Sequence, residues 1–274
     1  MTTPKFKTSL GFASIVAMAM AIPVANAQLA PPVDAIELNL IGLGVGSVPD
    51  YSGSSHNTTA AAPILRYQFE NSQRYFLWLG PTMQLNLIND AAWRAGPMLN
   101  YRGKRDSDVE DAVVKQMRPI DSEVEGGAFV QYNLKLSQRK MHEIRFSGDV
   151  AGSGNGTVGH LRMMYWYPFS DRVFGNVGVG MTYASDKFMQ TYYGVSGSDI
   201  ALFPSLGGNA FVPSAGVSGF NIPFGLSMLV DRQWMVSVGG RYESLQGDAK
   251  DSPIVSQRGD SSQWVYGAAV SYLF

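Results

Sequence analysis

The chain has 274 residues, a formal net charge of −1 and no cysteine. That charge supplies no basic patch for nucleic acid, and without cysteine there is no disulfide framework. Thirty glycines, 12% aromatic and 16% charged residues suit many strands and tight turns better than helices.

In chain order, the first segment reads as a leader. Lys5 and Lys7 precede an apolar stretch from Leu10 to Val24, and Ala25-Asn26-Ala27 is a small-x-small cleavage site. This is the order of a secretory signal peptide over 1–27, too short to span a bilayer. One β domain is expected over 28–274. No later run approaches about 18 consecutive apolar residues, so membrane insertion must be by strands.

Period-two alternation, the signature of strands, then recurs along the chain. Segments near 35–46, 60–70, 74–88, 92–102, 122–136, 141–151, 157–169, 173–185, 233–244 and 263–274 read as strands. In 74–88 one face carries Tyr75, Leu77, Leu79, Met83 and Leu85, and the other Arg74, Thr82, Gln84 and Asn86. The last segment sets Trp264, Tyr266, Ala268, Val270, Tyr272 and Phe274 on one face. Residues 210–230 give one long strand or a hairpin around Asn221 and Pro223.

Soluble sheets also alternate. Three features favour lipid: strands of about ten residues, Tyr and Trp near the ends of the apolar faces, and the aromatic ending at Phe274. The expected fold is an all-β, transmembrane, antiparallel up-and-down barrel in the outer membrane of a Gram-negative cell. Even strand numbers in such barrels favour the 210–230 hairpin and a total of about twelve, with ten as the alternative. Parity then puts the long loops 103–121 and 186–209 on the periplasmic side, against the usual arrangement of short periplasmic turns. One boundary conflicts with that rule. Within 103–121, a helix is expected, capped by Asp106, Ser107 or Asp108, with Val109, Ala112, Val113, Gln116 and Met117 at helical spacing.

The search for catalytic chemistry is mostly negative. His56, His142 and His160 are scattered without metal-ligand spacing, and no Gly-x-Ser-x-Gly occurs. Gly42-Leu43-Gly44-Val45-Gly46 lacks the spacing and following helix of a dinucleotide loop. No enzyme activity, cofactor or metal is expected. A barrel-borne hydrolase would need a Ser or an acid beside His160, the one histidine expected in the lumen. The polar faces would turn Arg94, Arg102, Glu125, Lys135, Glu143, Arg145, Asp149, Arg162, Arg241 and Glu243 inward. Mixed charges in so narrow a lumen should pair, closing it with a salt-bridged network.

Four short elements resemble a known family. Pro49-Asp50-Tyr51-Ser52-Gly53-Ser54 is similar to a "PDYxGS" element of the MltA-interacting protein (MipA/OmpV) family. Gly96-Pro97 with Tyr101-Arg102-Gly103-Lys104-Arg105-Asp106 resembles its "GPxLxYRxGRRD" stretch, and Tyr192-Tyr193-Gly194-Val195-Ser196 its "YFGVS". The run from Leu245 to Val255, with Asp248, Asp251, Ser252 and Pro253, is the nearest match. Where members often carry a Gly-His-Lys-Gly-like element, this chain reads Gly152-Ser153-Gly154-Asn155-Gly156-Thr157-Val158-Gly159-His160.

The resemblance implies an outer-membrane protein in contact with lipid, without established catalytic residues. For the namesake it implies a scaffold joining a lytic transglycosylase to a peptidoglycan synthase. Members are also described as porins or adhesins, so the alternative is a narrow porin-like channel for small solutes, or an adhesin.

Overall fold

The computed structural model describes residues 39–274 apart from 140 and 203. The expected signal peptide and the start of the first expected strand lie outside the described residues. Twelve antiparallel strands close into a barrel, each paired with its chain neighbours and β1 paired with β12. They are β1 Leu40–Pro49, β2 Asn57–Gln68, β3 Tyr75–Leu79, β4 Thr82–Asn86, β5 Trp93–Arg102 and β6 Glu123–Lys135. The second half follows as β7 Glu143–Ser153, β8 Gly156–Pro168, β9 Val173–Ala184, β10 Gly216–Leu229, β11 Trp234–Leu245 and β12 Ser262–Leu273.

The total of twelve is as expected, but two segments divide differently. Residues 74–88 are not one strand. Gly80, at φ +56°, starts a two-residue turn with Pro81, a left-handed position that glycine takes without steric cost. The turn exchanges the faces of its two halves. Tyr75 and Leu77 are buried inward, whereas alternation through an unbroken strand places them with Met83 and Leu85. Conversely, 210–230 is no hairpin: Asn221 and Pro223 lie inside the single strand β10, paired with Glu243 and Arg241 of β11.

Moving the hairpin also resolves the parity conflict. The long connections 50–56, 103–122, 185–215 and 246–261 now share one end of the barrel. The short turns 69–74, 87–92, 136–142, 169–172 and 230–233 share the other, where the Phe274 amide donates to the Asn39 carbonyl at 3.0 Å.

The outer wall is apolar. Leu43 is 60% exposed, Leu161 59% and Val238 55%, with Val130, Val150, Val179 and Ile222 also turned outward. An apolar surface encircling the molecule is far larger than a soluble monomer presents. Aromatic rings edge it. At the turn end Trp93 packs on Tyr132 with centroids 4.8 Å apart, and Trp234 on Tyr272 at 5.2 Å. At the loop end Tyr242 packs on Trp264 at 5.0 Å. Rings with one apolar and one polar edge belong at such a boundary.

Candidate functional site

The interior is closed in three layers. At the turn end, apolar side chains cross the lumen: Leu40, Ile64, Met164, Trp166, Phe174, Met235 and Leu273 form one buried cluster. These strand ends are apolar on both faces, so strict alternation lapses there.

The middle layer is ionic. Glu125, with no exposure, accepts Arg102 Nε at 2.6 Å, Arg102 Nη2 at 2.9 Å and Asn100 Nδ2 at 2.7 Å. The Arg102 guanidinium also lies 4.6 Å from the Phe188 ring centroid. Nearer the turn end, at the level of the apolar cluster, Arg145 pairs with Glu143 at 2.9 Å and stacks 5.0 Å above Trp166. Asp149 holds Arg162 at 3.0 Å and His160 Nδ1 at 2.7 Å. Arg241 pairs with Glu243 at 3.0 Å.

Two expected members sit apart. Arg94 donates to the carbonyls of Asp90 and Trp93 and to Gln73 Oε1, tying a turn rather than meeting an acid. Lys135 is exposed at the turn end. Small cavities of about 110 Å³ and 120 Å³ lie among the charged layers. His160 does have an acid within reach, so half of a hydrolytic pair is present. Among the described residues no hydroxyl is hydrogen-bonded to its ring, and Arg162 occupies the other oxygen of Asp149.

The third layer is a cap made by the loops. Loop 103–122 is not the expected α-helix. It forms a bridge between Arg105 and Ile120 and a single 3-10 turn, Val114–Gln116. Asp111, rather than Asp106, Ser107 or Asp108, accepts the Val113 and Val114 amides at 2.9 Å. The helices lie elsewhere: α1 Asp186–Tyr193, α2 Gly197–Leu202, α3 Gly247–Asp251 and α4 Pro253–Ser256. Ser185 caps α1 by accepting the Phe188 amide, as an N-cap serine does. Phe188, Met189 and Tyr193 then bury one side of the helix. That Ser185-Asp186 start, followed by apolar residues at helical spacing, is a readable signal that the alternation search passed over.

The family-like elements converge in the cap. Tyr51, Val109, Val114, Met117, Val195, Leu206 and Ile254 share one core. Ser52 Oγ lies 2.7 Å from the Tyr193 hydroxyl, and Ser252 Oγ donates to the Tyr193 carbonyl at 2.6 Å. Burial pushes the Tyr193 hydroxyl pKa up to about 12, which keeps it a neutral partner. Gly53 stands at φ +93°, where a Cβ would strike Val255. Asp50 accepts the Glu110 amide at 2.9 Å, and Asp248 accepts Ser214's at 2.7 Å. Pro253 opens α4, Asp251 is exposed, and Gly194 follows α1 as its C-cap. Gly96 and Pro97 lie instead in the wall on β5, where a Cβ on Gly96 would collide with the Leu85 carbonyl.

A closed barrel with an apolar girdle, polar lumen, short turns at one end and long loops at the other defines an outer-membrane β-barrel protein. Its turn end is accordingly periplasmic and its cap external. More narrowly, the chain belongs to the MipA family: the model described as "MltA-interacting protein MipA" matches residues 41–274. No curated protein matches it significantly.

Solved barrels are only distantly similar. The NanC porin shares 12% identity at a TM-score of 0.39, over 84% of this chain and 98% of that one. The β domain of the Bordetella autotransporter BrkA shares 9% at 0.39, over 86% and 99%. A Pseudomonas aeruginosa FadL homologue shares 9% at 0.38, over 93% and 96%.

Proposed function

We propose that this protein is a non-enzymatic scaffold of the outer membrane, holding murein-remodelling partners at its periplasmic end. The observation that carries the reading is the filled lumen: an apolar cluster at the turn end, paired charges and a loop cap occupy it. A barrel that does not conduct has its surfaces left to work with. The name of the family points to a lytic transglycosylase as one partner, and a peptidoglycan synthase is the natural second member of such a complex.

The external cap is on the wrong side for murein, so docking falls to the periplasmic turns. Arg74, Arg139, Arg172 and Arg232 stand in four of them. The test is affinity capture from cross-linked envelopes, comparing the native protein with a variant whose four turn arginines are Glu. Enrichment of a murein hydrolase or synthase by the native protein, reduced in the variant, is expected. Finding neither enzyme enriched by the native protein contradicts the scaffold.

A further inference from the structure

The outer wall is hollowed on one side. Along β7 one outward line runs from His142 through Ile144 and Phe146 to Gly148 and Val150, with Phe146 and Val150 exposed. At Gly148 the line lacks a side chain. A Cβ there would lie 3.2 Å from Leu161 Cδ2 and 3.9 Å from Val130 Cγ1, so the glycine floors a hollow between those two neighbours. The hollow holds about 600 Å³, is almost wholly apolar, and is walled by Trp93, Tyr132, Phe146, Met163, Val179 and Phe220. It runs obliquely, from Trp93 and Tyr132 in the turn-end aromatic belt to Phe220 in the loop-end half of β10.

At the turn end of the same line stands a fan of rings. His142 lies 6.0 Å from Tyr165 and 5.6 Å from Tyr167, centroid to centroid, and Tyr167 lies 5.1 Å from Phe169. The imidazole is fixed at both nitrogens: Ser137 Oγ is 2.9 Å from Nδ1, and the Tyr165 hydroxyl is 3.3 Å from Nε2. Exposed rings with polar edges at the end of an apolar wall mark the level of lipid headgroups.

The turn beside the fan is the basic one. Residues 136–142 carry Arg139, Lys140 and His142 and no acid, whereas each of the other four short turns has one: Glu70, Asp90, Asp171 and Asp231. Arg139 is exposed, and its carbonyl accepts the His142 amide at 3.4 Å. The next acid along the strand, Glu143, faces the lumen and pairs with Arg145. A basic rim at the mouth of an apolar groove attracts an anionic headgroup. The span fits as well. Six residues from His142 to Gly148 cover about 20 Å of strand, or about 14 Å of depth at a tilt of roughly 45°, half the hydrocarbon core.

We propose that this face of the wall, over β6–β9, is a site for an anionic phospholipid of the periplasmic leaflet. The phosphate sits at the 136–142 turn beside His142, drawn there by the charge of Arg139, and one acyl chain fills the hollow over Gly148. The site needs no protein partner, so it stands or falls apart from the scaffold reading.

Because the chain has no cysteine, a single bimane label can be placed by Val177→Cys, opposite Tyr165 on the next strand, or by Val238→Cys on β11, away from the hollow. The purified protein is folded into phosphatidylcholine vesicles holding a minor fraction of brominated phosphatidylglycerol or, in a matched set, of brominated phosphatidylcholine. Quenching at 177 should show the anionic lipid enriched about fivefold over the zwitterionic one, the attraction of about one basic residue, with no preference at 238. Arg139→Glu, which leaves the turn no net charge beyond the histidine, should abolish that preference. Gly148→Leu, which fills the hollow and leaves the turn untouched, should weaken it. Heat-modifiable gel mobility identifies the folded variants. Equal quenching by the two lipids at 177, or a preference that either folded variant keeps in full, overturns the proposal. So does a label at 177 shielded from both lipids while 238 is quenched, since that means a second copy of the chain covers this face.

Discussion

The two ends of the barrel are closed by different means. The periplasmic end is sealed from within, by strand residues such as Leu40 on β1 and Trp166 on β8 that belong to one cluster spanning the lumen. The outer end is sealed from above, by loops that build a small core around Tyr51, Leu206 and Ile254 and clasp it with polar contacts. A plug made of strand positions moves only if the wall moves. A cap made of loops can loosen while the wall stays intact. The same contrast separates what substitutions should do at each end.

The largest effect belongs to the ionic layer between them. Glu125→Ala leaves Arg102 buried without its acid, a change that costs about 3–5 kcal/mol. Urea unfolding in lipid vesicles, followed by tryptophan fluorescence, measures it. The double change Arg102→Met with Glu125→Leu should recover most of the loss. At the periplasmic plug, Met235→Ala empties a fully buried site and should cost about 2–5 kcal/mol in the same assay. Because it acts on the wall, it lowers the stability of the whole barrel.

At the cap the effects are smaller and local. Ser252→Ala removes a buried donor to the Tyr193 carbonyl, worth about 1–3 kcal/mol. It should speed proteolysis within 185–215 and 246–261 while the barrel midpoint stays put. A fall in that midpoint as large as that of Met235→Ala would erase the distinction between the ends.

The mildest prediction concerns pH. Burial alone would raise the carboxyl of Asp111, but the Arg258 hydrogen bond and the Val114 and Val113 amides bring it below the usual aspartate range. A depressed pKa stabilises the fold fully above the ordinary aspartate value near about 4 and loses that contribution as pH falls through the folded value. Loop 103–122 should therefore become protease-sensitive below about pH 4, tested with an acid-active protease. Asp111→Asn should show the sensitivity already at neutral pH.

Much of the wall could be read directly from residue order, because lipid outside and polar atoms inside force a period of two. It failed in 74–88 for a physical reason: both sides of β3 are apolar, with Tyr75 and Leu77 inward and Phe76 and Trp78 outward, so hydropathy shows no break at Gly80-Pro81. Pro223 gives the opposite error. A proline suggests a turn, yet here it lies within strand β10.

The inward set of charges was legible as a set but not as pairs. Arg102 and Glu125 come from neighbouring strands, but alternation names the inward face and not the register that sets Asn100 opposite Glu125. Helix α1 was legible from Ser185 onward. The convergence of Ser52, Tyr193 and Ser252 was not, since these contacts join residues 59 and 141 positions apart.

Planar-bilayer recording of the purified protein shows whether anything crosses this barrel from end to end. Membranes holding the protein should stay electrically silent apart from brief flickers as the cap loosens. A large, steady conductance would contradict the closed reading, since it needs a continuous path past the buried cluster around Met235 and Trp166.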